Sequence, residues 1–213
     1  MKKYYTLNQI EQQKLVAVVR GESVDEALDI TDACIAGGVK VIELTFTLPN
    51  VLEAIKAAVN KYQDDDQVVI GAGTVLDAHT ARLAILNGAA FIVSPGFDKE
   101  TAKICNRYQI PYLPGAITIT EIQQALTYGV DVIKLFPGSL VGPEYISSLK
   151  GPLPNIQIMP TGGVDETNIS QWLEKGAFAC GMGSNLTSLK KLGNLQNITD
   201  KAREYCSLVH EMR

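Results

Sequence analysis

Three charged residues sit where short apolar runs end, and together they could form and break bonds beside a ketone. Lys134 closes the run Val130-Asp131-Val132-Ile133-Lys134, and Pro137 stops the strand just beyond it. A lysine in such surroundings has two readings. Its chain can lie along apolar surface and lift the ammonium to the rim, to pair with a carboxylate. Alternatively the amine is held away from water, which favours its uncharged form and leaves a lone pair free to attack a carbonyl carbon. Glu43 ends a second apolar run, Val39-Lys40-Val41-Ile42-Glu43. It could serve as a structural ion-pair partner for Lys134 or Arg20. Within reach of an imine it could instead carry protons to and from the neighbouring carbon and oxygen. Arg20, after the first apolar run, would hold a substrate carboxylate and disfavour a charged Lys134.

Two glycine-rich segments could grip an anion. Pro160-Thr161-Gly162-Gly163-Val164-Asp165 and Gly181-Met182-Gly183-Ser184-Asn185 each follow a short apolar run. Bare backbone N–H groups at such a place can cradle a phosphate or carboxylate, or the glycines can simply make tight turns. Gly71-Ala72-Gly73-Thr74 predicts a third close-approach loop, able to offer N–H groups to a carboxylate; it has neither Walker spacing nor the dinucleotide fingerprint. The two histidines, His79 and His210, fall in helical surroundings far from these ends and are predicted at the surface. No HxxxH pair or Asp/Glu-His cluster is present, so no metal site is expected.

The elements that must position these residues follow a regular rhythm. Four times a helical run ends in glycine and an apolar run begins, at Gly37-Gly38, Gly88, Gly129 and Gly176. Glycine just past a helix takes the left-handed conformation that closes the last turn. The apolar runs suit strands buried on both faces, as in a parallel sheet. Strands are predicted over 15–19, 39–43, 67–71, 91–94, 111–114, 130–134, 156–160 and 177–181. Helices lie between them, with an extra one near 6–13 and a long one at the C-terminus. Ser23 to Glu26 and Thr118 to Glu121 read as capping boxes, and Asp98 and Asp165 as N-caps.

Eight alternating strands and helices fit either an open doubly wound sheet or a closed barrel. Arg20, Glu43, Thr74, Ser94, Lys134, Thr161 and Ser184 fall at or just past the ends of seven different strands. Only a closed ring brings all seven to one pocket. The reading is therefore a (β/α)₈ TIM barrel with an extra N-terminal helix, residues 1–213 forming one domain. At 213 residues, with 46% hydrophobic and 20% charged residues, the composition is that of a globular protein. A net charge of −4 without a Lys/Arg stripe argues against a nucleic-acid partner. Neither a signal peptide nor a membrane-crossing stretch is read. Of the cysteines, Cys34, Cys105, Cys180 and Cys206, none pair as CxxC, and three fall in apolar patterns, so reduced thiols and a cytoplasmic location are expected.

Glu43-Leu44-Thr45, Gly71-Ala72-Gly73-Thr74-Val75, Ser94-Pro95-Gly96, Pro114-Gly115, Lys134-Leu135-Phe136-Pro137 and Pro160-Thr161-Gly162-Gly163 occur in order. From about Val16 to Leu186 the chain resembles the class I 2-keto-3-deoxy-6-phosphogluconate aldolases, which include the 4-hydroxy-2-oxoglutarate aldolases. The resemblance implies a trimeric barrel that cleaves its sugar acid to pyruvate and glyceraldehyde 3-phosphate without metal or cofactor, through a covalent imine. It implies Lys134 as the imine-forming lysine and Glu43 as the general acid/base. Thr74 would hold the pyruvate carboxylate, Thr161 would lie near the reacting carbon, and Gly162, Gly163, Gly183 and Ser184 would grip the phosphate. Some members carry an arginine three residues after the glutamate as a further phosphate contact; here that residue is Phe46. A phosphogalactonate aldolase, a phosphosugar isomerase or epimerase, and a silent metabolite-binding regulator are the alternatives.

Overall fold

The computed structural model describes residues 2–211. Its strands are β1 (Leu15–Val19), β2 (Val41–Thr45), β3 (Val69–Gly73), β4 (Ile92–Ser94), β5 (Tyr112–Ala116), β6 (Ile133–Leu135), β7 (Ile158–Pro160) and β8 (Cys180–Met182). The helices are α1 (Lys2–Gln13), α2 (Val24–Ala36), α3 (Val51–Lys61), α4 (Ala78–Leu86), α5 (Lys99–Tyr108), α6 (Ile119–Thr127), α7 (Glu144–Lys150), α8 (Ile169–Glu174), α9 (Ser184–Thr187), α10 (Leu189–Leu192) and α11 (Leu195–His210). The strands follow one another in the order β7-β6-β5-β4-β3-β2-β1-β8, all neighbours parallel. A parallel bridge from Thr161 to Gly181 and the Phe178 N–H to Ile158 carbonyl bond, 2.8 Å, join the two ends. The fold is thus the expected (β/α)₈ barrel, with the extra helix α1 beginning at Lys2 rather than near residue 6.

Apart from β1, each strand starts one to three residues later than the apolar runs predict. For β2, β6 and β8, whose predicted first residues are Val39, Val130 and Ala177, the reason lies in how the preceding helices end. Val39, Ala89, Ile110, Val130 and Ala177 donate their N–H groups back to Cys34, Ala84, Cys105, Ala125 and Trp172. These are the six-to-one bonds of a Schellman turn, and they hold the first apolar residue to its helix before the ladder can begin. The glycines that permit the turn, Gly38, Gly88, Gly129 and Gly176, all have positive φ. Strands β2 and β3 correspondingly run on to Thr45 and Gly73. Gly71-Ala72-Gly73 is therefore strand, paired with Glu43, Leu44 and Thr45, and not the loop expected from its glycines.

Thr118 and Glu121 form the full reciprocal capping box, and Asp98 caps α5 through Thr101 N–H. At α2 only half of the expected box is present: Ser23 caps Glu26 N–H, while Glu26 reaches Glu22 N–H instead of Ser23. Asp165 does not cap a helix. Its carboxylate holds the Thr167 N–H and hydroxyl in a turn, and α8 starts four residues later at Ile169.

Alternation along the strands separates two apolar layers. Leu15, Ala17 and Val19 of β1, Ile42 and Leu44 of β2 and Ile70 and Ala72 of β3 face the helices. Val16, Val41, Val69, Phe91, Val93, Leu113, Val132 and Met159 pack together as the other set, joined by Ile10 and partly by Leu7 of α1. This second cluster fills the barrel, and α1 stops its N-terminal mouth. Inward residues nearer the C-terminal ends of the strands stand above that plug.

Candidate active site

Above the plug, inward positions change from branched side chains to glycine or polar residues. Glu43 and Lys134 lie on β2 and β6, which stand four strands apart and so on opposite walls. Across the lumen, Lys134 Nζ comes to 3.7 Å from Glu43 Oε1, with the lysine side chain 7% exposed and the glutamate 0%. Both carboxylate oxygens of Glu43 are buried without a hydrogen-bond partner, as is Thr161 Oγ1. Buried polar atoms are nearly always paired, so three unpaired acceptors facing one lumen mark a place that a polar ligand would complete.

Glycines make the room. A Cβ on Gly73 would stand 1.9 Å from Glu43 Oε1, and one on Gly181 would stand 2.2 Å from Thr161 Oγ1. On β5, beside Lys134 in the ladder, Gly115 admits the Pro95 carbonyl to 1.9 Å of the same imagined position. Sequence reading missed this role for Gly115, placed Gly73 in a close-approach loop and placed Gly181 in an anion-gripping segment. A glycine inside a strand pattern is a signal of close approach, and it was available. Phe136, also missed, places its ring 5.2 Å from Lys134 Nζ. Its edge lies against Gly162, where a Cβ would be 3.4 Å from Cε2.

The loops beyond the strands hold the remaining residues. Thr74 leaves β3 with φ +56, and its N–H finds no hydrogen-bond partner among the described residues. Gly162 and Gly163 both have positive φ; the Gly162 carbonyl accepts from Ser139 N–H and the Gly163 carbonyl from Asn168. Asn185 Nδ2 donates to the Val164 carbonyl, tying the loop after β8 to the loop after β7. Gly183 opens to free space, since a Cβ there would meet nothing within 4 Å. Ser184 and Arg20 line one cavity of about 230 Å³, which also includes Glu22, Glu26 and Lys190. The structure thus sets Arg20 beside Ser184, in a cavity whose lining includes neither Lys134 nor Glu43. Ser94 is buried, but its hydroxyl is engaged by Tyr112 Oη at 2.7 Å and by the Gly96 carbonyl, so it braces the loop after β4 and is not an open contact.

Away from this end, His79 and His210 are exposed on α4 and α11 as expected. Burial pushes the Cys34, Cys105 and Cys180 thiols up to about 12, which suits inert core residues. Among the described residues no group of three or more His, Cys, Asp or Glu is gathered as a metal site. None of their helices is long and apolar enough to cross a membrane.

Residues 7–201 match the family described as KDPG and KHG aldolase. The chain belongs to this family. It is 33% identical over 207 residues to the 2-dehydro-3-deoxy-phosphogluconate aldolase of Treponema pallidum (strain Nichols), covering 95% of this chain and 97% of that one. To the 2-dehydro-3-deoxy-6-phosphogalactonate aldolase of Escherichia coli (strain K12) it is 36% identical over 173 residues, 81% and 83% of the two chains. The KDPG aldolase of Legionella pneumophila, solved with pyruvate captured at low pH as a covalent carbinolamine, superposes with a TM-score of 0.85 at 26% identity, covering 93% of this chain and 96% of that one. The protein is thus a carbon–carbon lyase acting on small molecules, and the isomerase, epimerase and silent-regulator readings fall away.

Proposed function

We propose that the protein cleaves 2-keto-3-deoxy-6-phosphogluconate to pyruvate and glyceraldehyde 3-phosphate, without a metal or cofactor, through an imine on Lys134. One observation carries this reading: a buried amine 3.7 Å from a buried carboxylate whose oxygens have no other partner. Lys134 Nζ attacks C2 of the keto acid, and Glu43 passes protons as the carbinolamine loses water to become an iminium. The iminium is an electron sink. Glu43 takes the proton of the C4 hydroxyl, the C3–C4 bond breaks, and its electron pair moves through C2 to the nitrogen as an enamine. The aldehyde leaves, C3 is protonated, and water hydrolyses the imine to release pyruvate and the amine. Thr74 N–H is free to hold the substrate carboxylate, and Thr161 Oγ1 lies beside the reacting carbons. Gly162, Gly163, Gly183, Ser184 and Arg20 receive the phosphate at the outer end.

Phe46 favours a second substrate. It is half-buried against the outer core and offers no charge to a phosphate, so 4-hydroxy-2-oxoglutarate, cleaved to pyruvate and glyoxylate, fits the inner site equally. Family resemblance supports a homotrimer, and the buried, inert thiols of Cys34, Cys105 and Cys180 fit a cytoplasmic protein.

Reduction with borohydride in the presence of pyruvate should add mass at Lys134, and Lys134→Ala should abolish the adduct. Glu43→Gln should lower kcat by roughly 10²–10⁴-fold, the usual worth of a positioned acid/base. Pyruvate release, coupled to lactate dehydrogenase, should persist in excess chelator. An adduct on another lysine, or turnover that survives loss of Lys134, removes the assignment.

A further inference from the structure

The cavity that holds Arg20 and Ser184 contains more charge than the grip described above uses. Glu26 is occupied, since its carboxylate accepts the Glu22 N–H at 2.6 Å. Glu22 and Lys190 face each other across the cavity mouth, one from the loop between β1 and α2 and the other from α10, with Nζ to Oε1 2.7 Å. Their side chains are 75% and 87% exposed. Arg20 makes no ion pair among the described residues, so this mouth presents one available cation and one that a carboxylate covers.

We propose that Lys190 determines selectivity for phosphorylated substrates: its ion pair with Glu22 opens when a terminal phosphate enters, and the ammonium passes from the carboxylate to the phosphate. The inference rests on reading this cavity as the phosphate end. An exposed single ion pair is held weakly and is readily exchanged. A phosphate offers nearly two negative charges and three strong acceptor oxygens, and meets Arg20 and Lys190 together. The exchange balances. Before it, Glu22 and Glu26 offset Lys190 and Arg20; after it, the dianion meets the two cations, Glu22 returns to water, and Glu26 keeps its charge on the Glu22 N–H. A substrate that lacks the phosphate leaves the bridge closed. Charge that Phe46 does not supply at the end of β2 is thereby supplied from α10, and Glu22 acts as the competitor that a true phosphate must displace.

The test uses the intact protein with inorganic phosphate and with both keto acids. Binding of inorganic phosphate, followed by ³¹P line broadening, should weaken about 5- to 20-fold in Lys190→Met and tighten about twofold in Glu22→Gln. The ratio of kcat/KM for the phosphorylated over the unphosphorylated keto acid should fall about tenfold in Lys190→Met, through KM and not kcat. Unaltered phosphate binding in Lys190→Met, or an unaltered ratio, overturns the proposal. Phosphate binding needs no turnover, so its response stands apart from the pyruvate adduct, whose absence from the wild type would instead remove the aldolase mechanism.

Discussion

At the scale of single residues, the proposed reaction depends on a carboxylate held where a side chain would otherwise be. Glu43 lies over Gly73 of the next strand, so closely that a Cβ there would stand 1.9 Å from Oε1 and 2.5 Å from Cδ. Gly73→Ala must move the carboxylate, because the backbone of β3 is fixed on β2 by Thr45 and Phe46. A displacement of about 1 Å in a catalytic group can cost about 10²-fold in rate. We expect kcat for Gly73→Ala to fall by about that factor while borohydride still traps pyruvate on Lys134. Equal turnover in the variant and wild type would mean that Glu43 need not stand where it does. Lys134 and Glu43 were legible in the sequence because each ends an apolar run with a charge, which is costly unless used. Gly73 was legible as a close-approach glycine, though in a loop; Gly115 and Gly181 carry the same signal of a glycine within a strand pattern, but which neighbour each makes room for depends on the ladder.

At the scale of the element, local chemistry at helix ends was readable where the cap is a self-contained bond. Thr118 and Glu121 need only each other's backbone, so four residues suffice to recognise them. Asp165 failed for the opposite reason. The same residue type serves a turn when Thr167 follows, and the choice between turn and cap depends on the loop from β7. Strand starts were shifted because a strand's first N–H can be claimed by the preceding helix, a competition between elements that no apolar run records. The Thr118 box also gives a pH dependence. The N–H groups of Thr118 and Ile117, then the Thr118 hydroxyl, hold the Glu121 carboxyl below its ordinary 4.5. A depressed carboxyl stabilises the fold above its unfolded value and loses that contribution as pH falls through the folded one. Urea midpoints should therefore decline less steeply between pH 5 and 3 (roughly the window in which carboxyls titrate) in Glu121→Gln than in the wild type. Thr118→Ala should cost about 1 kcal/mol at neutral pH, the usual worth of an N-cap. Parallel declines in Glu121→Gln and wild type would detach the helix end from the acid response.

For the whole molecule, closure converts eight separate strand ends into one site, and this was legible because polar residues fell at seven of them. The sequence could not show that β2 and β6 face each other across a lumen filled from below. That depends on Val16, Val41, Val69, Phe91 and Val132 stacking inward, with α1 brought under them by Ile10. A barrel of this kind divides its labour, with stability at the N-terminal face and chemistry at the C-terminal face. Ile10 tests the division. It is fully buried, belongs to the inward cluster, and lies on the helix that stops the mouth opposite the lysine. Ile10→Ala leaves a void that the surrounding strands, fixed by ladders on both sides, can close only in part. The expected loss is about 2–5 kcal/mol. It should appear as a lower urea midpoint with the slope little changed. At 25 °C, where the variant stays folded, kcat and the yield of pyruvate adduct should match the wild type within about twofold, because no contact of Lys134, Glu43 or Thr161 passes through Ile10. If turnover instead falls in step with stability while circular dichroism shows an intact fold, then plug and site act as one unit, and the spacing between Lys134 and Glu43 is set by packing from α1 upward.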